Sequence, residues 1–157
     1  MKTIILLSLF AAMLILSSCN RTEIDNEKPF IDLTIENAFP NNCDTIYFGV
    51  PFKFKALLTD NFQLGSFSLD IHNNFDHHSH STDFMECELS LVKAPVKPYV
   101  FINEFEIPSG LKTYLADIEL TIPDNGFDEG DYHFFISLTD REGWRAEKGI
   151  SIKILNR

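Results

Sequence analysis

The sequence has little of what marks most large functional classes. Seven Gly and seven Pro in 157 residues are too few for a collagen-like or low-complexity chain, and a composition that is 45% hydrophobic and 23% charged excludes a disordered one. Basic residues are scarce: 13 Lys and Arg stand against 23 Asp and Glu, a formal net charge of -10. Binding to nucleic acid relies on Lys and Arg displacing counterions from phosphates, so nucleic acid is excluded as an expected partner. No apolar run reaches the roughly 18 residues of a membrane-spanning helix. No G-x-S-x-G elbow, phosphate loop, H-E-x-x-H motif or paired catalytic carboxylate occurs, and no enzyme is expected. A metal-dependent hydrolase would need an open ligand position, a pocket, and an acid or base such as Asp76 or Asp70.

Two features are present in excess. Fifteen Phe supply bulky core material, enough for a chain of this size to bury roughly two thirds of its unfolded surface in one domain. Four of the five His fall at His72, His77, His78 and His80, and the fifth is His133. That clustering is the least random feature of the composition.

The N-terminus reads as an address. Met1-Lys2-Thr3 and the apolar run Ile4 to Leu16 have the charged start and short hydrophobic stretch of a secretory signal. The run ends in Leu16-Ser17-Ser18-Cys19, which resembles a bacterial lipobox, whose cysteine is acylated and becomes the new terminus. Residues 1–18 are then signal peptide, and residues 19–29 are the lipidated Cys19 and a polar, flexible tether. Residues 30–157 form the domain. An ordinary signal peptide with Cys19 at its boundary is the alternative. Cleavage removes one basic residue, Lys2, and leaves 12 basic against 23 acidic residues. Attraction to anionic headgroups is therefore disfavoured, and the acyl chains are the expected membrane contact.

Cys43 and Cys87 remain, and an even pair in an oxidising envelope compartment is expected either to form a disulfide or to stay as two separate buried thiols. From Phe30 onward the dominant period is two, and no helical stripe competes with it. Phe52 to Leu58, Phe67 to Ile71, Met85 to Leu91, Tyr114 to Ile122, Tyr132 to Leu138 and Ile150 to Ile154 each alternate apolar and polar residues. Cys87 falls on the apolar face of its run. With an opening strand at Ile31 to Glu36 and an extra element near 99–107, the spacing predicts an all-β sandwich of seven or more antiparallel strands. Asp128-Glu129-Gly130-Asp131-Tyr132 resembles the D-x-G-x-Y signature of immunoglobulin-like domains, in which the tyrosine hydroxyl ties back to the preceding corner. An immunoglobulin-like sandwich is the expected fold, with a jelly roll second.

Strands ending at His72 and opening at His133 are antiparallel neighbours in such a sandwich, so the two imidazoles should meet on the polar face at one end of one sheet. The loop leaving His72 starts there and carries Asp76, His77, His78 and His80. Three or four imidazoles in one place suit zinc, copper or nickel. His72 and His133 are the expected strand-borne ligands, with His78 and His80 from the loop. His77 or Asp76 are alternates, and Asp70 is an outer partner. A solvated histidine-rich loop, or a patch that recognises a partner or senses pH, are the competing readings.

The sequence also holds weaker patterns. Asp124, Asp128, Glu129 and Asp131 cluster near Gly126 and Gly130, but Glu129 fills the position where a calcium-binding EF-hand loop needs glycine, so an acidic turn is expected. Leu138-Thr139-Asp140-Arg141-Glu142 resembles a calcium-coordinating cadherin segment, without the companion Asp-rich linker motifs, and is discounted. Trp144 is either an exposed recognition aromatic or packed at the end of the sandwich.

The lipobox, Thr59-Asp60-Asn61, Ile71-His72-Asn73-Asn74-Phe75-Asp76-His77-His78-Ser79-His80 and Gly130-Asp131-Tyr132-His133-Phe134 together resemble an uncharacterised family of Bacteroidota lipoproteins carrying a domain of unknown function. The resemblance implies an immunoglobulin-like fold and a lipid-anchored position in the cell envelope, on the periplasmic or cell-surface face of the outer membrane. The expected function is transition-metal binding by that domain. The alternative is an interaction module that docks onto another envelope protein or a glycan, with the histidines structural.

Overall fold

The computed structural model describes residues 24–79, 81–82 and 87–157. Cys19, His80 and Met85 lie outside the described residues. The described residues contain eight strands and no helix, hence none long and apolar enough to cross a membrane. The strands are β1 (Phe30–Asp32), β2 (Thr45–Tyr47), β3 (Phe52–Thr59), β4 (Leu64–Asn73), β5 (Phe101–Glu106), β6 (Thr113–Leu120), β7 (Gly130–Asp140) and β8 (Arg145–Leu155).

They form a three-stranded sheet of order β1-β3-β6 and a five-stranded sheet of order β2-β8-β7-β4-β5. All pairs are antiparallel except β2 with β8. Alternation places Phe54, Ala56 and Leu58 of β3 opposite Phe67, Leu69 and Ile71 of β4 and Phe134, Ile136 and Leu138 of β7, all buried in one core. Phe54 bridges the two sheets, its ring centroid 6.0 Å from that of Phe67 and 5.7 Å from that of Phe134.

The opening strand ends at Asp32 instead of Glu36, the run from 85 departs from expectation, the element near 99–107 is present, and β2 is an addition. β2 lies in a stretch with no alternating run long enough to read. The run from 85 is not a strand where it is described: Cys87 to Ser90 are irregular, and the segment is held by a bond between Cys43 and Cys87, 44 positions apart. Ser90 N–H also donates to Asp131 Oδ2 at 2.7 Å. Cys87 is half-buried at the edge of the fold and does not face the core. The extra element near 99–107 is a full sheet member, β5, paired with β4 from Ile71↔Phe101 to Ser66↔Glu106.

Tyr132 ties back as its motif implies. Its hydroxyl donates to Asp128 O at 2.6 Å and accepts from Tyr99 N–H at 3.2 Å. Among the acidic residues near Gly126, Asp128 caps backbone of the segment ahead of β5. Asp128 Oδ2 accepts the N–H groups of Val96 and Lys97, both at 2.7 Å. Burial tends to raise the Asp128 pKa, but these backbone bonds outweigh it and hold the carboxyl below its ordinary value.

Candidate metal centre

The β4/β7 register sets His72 directly across from His133. The chain then leaves β4 and turns at Phe75 and Asp76, closed by His77 N–H donating to Asn74 O, and His77 takes a positive φ of 59°. The turn returns His78 over the same face. The result is a triangle of imidazoles: ring centroids are 5.5 Å apart for His72 and His133, 5.7 Å for His72 and His78, and 5.1 Å for His78 and His133.

Hydrogen bonding fixes the neutral tautomers. A carboxylate only accepts, so the 2.8 Å contact of His72 Nδ1 with Asp70 Oδ1 and the 2.5 Å contact of His78 Nδ1 with Asp76 Oδ1 place a proton on each Nδ1. The lone pair of each ring then lies on Nε2. His133 has the opposite arrangement, because its Nε2 donates to the carbonyl of His78 at 3.0 Å. Asp70 thus takes the orienting position expected of it. Asp76, an alternate ligand by sequence, also orients a ring, and the His78 bond lowers its pKa below the ordinary carboxylate value. His77 turns away, with its Nε2 4.0 Å from Asp131 Oδ2.

His133 differs from expectation in exposure. A polar strand face reads as wet, yet His133 is only 1% exposed. The cause is the segment after His78: Thr82 N–H donates to Gly149 O at 2.9 Å, and Gly149 N–H donates to Thr82 Oγ1 at 3.1 Å. Those bonds seat Thr82 against β8, while the His78 carbonyl lies over His133 on β7. No periodic pattern in the sequence signals such a cover.

Two imidazoles on a tetrahedral ion, with each nitrogen about 2.0 to 2.1 Å from it, have ring centroids about 5.2 Å apart. The observed triangle is close to that spacing. The ligating atoms do not converge fully, however. Among the described residues, the set whose ligating atoms all lie within 4.8 Å of one another is Asp25, Asp60 and Asp140, not the three histidines. Closure of the rings on an ion therefore requires side-chain rotation.

A family model described as "Domain of unknown function (DUF4625)" matches residues 17–155. The chain belongs to that family. The description assigns no chemistry, so a functional reading has to come from the site itself. No curated protein matches the chain.

Proposed function

We propose that this member of the family is a lipid-anchored cell-envelope protein whose single immunoglobulin-like domain binds a transition metal ion, zinc, copper or nickel. The fold reading rests on strand order: β1-β3-β6 corresponds to A-B-E, and β2-β8-β7-β4-β5 to A′-G-F-C-C′, with Tyr132 in the tyrosine corner of strand F. The anchor reading rests on Leu16-Ser17-Ser18-Cys19 after a short apolar run, and with it goes a position at the outer membrane, on the periplasmic or surface face.

One observation carries the metal reading. Three imidazoles meet within 5.7 Å at the joined ends of β4 and β7, two of them oriented by carboxylates, as partners behind metal ligands do. The ligands are His72, His78 and His133, with His80 as a fourth. Titration of zinc, copper and nickel into untagged, metal-free protein tests this. A dissociation constant tighter than about 10 µM at neutral pH is expected, together with its loss in His72→Ala and in the less buried His78→Ala. Weaker binding of all three metals overturns the reading.

A docking module is the second reading. It is favoured by exposed Val100 and Ile102 on and beside the edge strand β5. An envelope protein or glycan captured by the anchored domain equally well with and without a chelator supports this reading over the first.

A further inference from the structure

At the other end of β7, about seven residues or roughly 24 Å of strand from His133, three carboxylates from distant parts of the chain converge. Asp60 follows β3, Asp140 ends β7, and Asp25 belongs to the segment ahead of β1. One oxygen of each lies within 4.8 Å of the others. Asp25 is 7% and Asp140 4% exposed.

Each carboxylate divides its two oxygens in the same way. Asp60 Oδ2 accepts the N–H groups of Phe62 at 2.7 Å and Gln63 at 2.6 Å. Asp140 Oδ1 accepts those of Gly143 at 2.7 Å and Trp144 at 2.8 Å, and Asp25 Oδ1 accepts that of Glu27 at 3.1 Å. Asp25 Oδ2, Asp60 Oδ1 and Asp140 Oδ2 are buried and have no hydrogen-bond partner among the described residues. No Lys, Arg or His comes within 4.0 Å of these carboxylates among the described residues. Three buried, unpartnered acceptors in one carboxylate cluster without a positive charge beside them are strongly unfavourable, and a cation bound within the cluster removes that cost.

We propose that Asp25, Asp60 and Asp140 bind calcium, and that the ion clamps the segment leading into the domain onto its β7 end. The donor set is all oxygen, which selects a hard cation over the metals that imidazole attracts. Calcium bonds oxygen at about 2.3 to 2.6 Å, so oxygens sharing one ion lie at most about 5 Å apart. The observed limit of 4.8 Å fits. Backbone close to the site is fixed in place: a Cβ on Gly65 would come within 2.8 Å of both Thr139 O and Asp140 O, so glycine is what lets β4 approach the end of β7. The clamp has a built-in reporter. Trp144, the one tryptophan of the chain, donates from Nε1 to Asp25 O at 3.3 Å.

The test is calcium titration of the full chain in detergent micelles, read by tryptophan fluorescence and by thermal unfolding with calcium or EGTA. A saturable change in emission is expected, with a dissociation constant on the order of 0.1 to 1 mM, as in other extracellular modules. Binding at least about tenfold weaker for magnesium is also expected, because magnesium demands stricter octahedral geometry. Asp25→Asn and Asp140→Asn should lose the response while unfolding in EGTA no earlier than wild type, since each removes repulsion. Asp60→Asn, at a less buried turn, should weaken it at least about tenfold. His72→Ala should leave it intact. No change in emission or melting up to about 10 mM calcium, equal affinity for magnesium, or equal destabilisation of the Asn variants with and without calcium would overturn the proposal.

Discussion

Tyr132 holds a corner of the fold through one oxygen. Fully buried, it donates to Asp128 O and accepts from Tyr99 N–H. In Tyr132→Phe both partners lose their bond away from water, and a destabilisation of about 1 to 3 kcal/mol is expected in urea unfolding. The same burial raises the pKa of Tyr132 above its ordinary value of 10.0, against the lowering effect of the Tyr99 bond. A raised folded value means the contribution is complete below pH 10.0 and is lost as pH climbs through the folded value. Alkaline titration followed by tyrosinate absorbance should find this ring ionising above 10.0, and Tyr132→Phe should soften the alkaline loss of stability. This residue was legible in sequence because its role is local and its spacing from Asp128 is short. The cover over His133 was not, because it depends on Thr82 meeting Gly149 across 67 positions.

At the scale of elements, β7 organises the molecule. It has β4 on one side and β8 on the other, and it carries His133, Tyr132 and Asp140. Period-two alternation revealed β3, β4, β6, β7 and β8, because each buries one face against the opposite sheet. It misassigned the run from 85, whose described part is pinned by a sulfur bridge and by Asp131 instead of by sheet pairing. Alternation records which side chains alternate in polarity, and it does not report whether the backbone finds a sheet partner. The Cys43–Cys87 bond is expected to contribute about 4 kcal/mol on the chain-entropy estimate for a loop of this length. Denaturant unfolding with and without reductant measures it, with Cys43→Ser plus Cys87→Ser as the matched variant.

For the whole molecule, the histidine triangle and the aspartate triad occupy opposite ends of the β4/β7 pair. Their ligands have different hardness, so each site should select its own ion. At roughly 24 Å apart, the two bound ions should stabilise independently. Melting shifts from zinc and calcium together should equal the sum of the separate shifts, and a double titration by scanning calorimetry checks this. The general location of the histidine site followed from the sequence once two strands were placed as antiparallel neighbours. The aspartate triad did not, because Asp25 comes from a segment with no periodicity and the three residues span 115 positions of chain.

The sulfur bridge also determines how the chain carries a mechanical load. Tension applied between the two ends passes from Cys43 directly to Cys87, so residues 44–86 lie in a loop outside the load path. That loop contains β2, β3 and β4, and with them His72, His78 and Asp60. Even if a strong pull stripped β5 to β8 away, the loop would stay closed. The oxidised chain would stop roughly 150 Å short of the contour length reached after reduction.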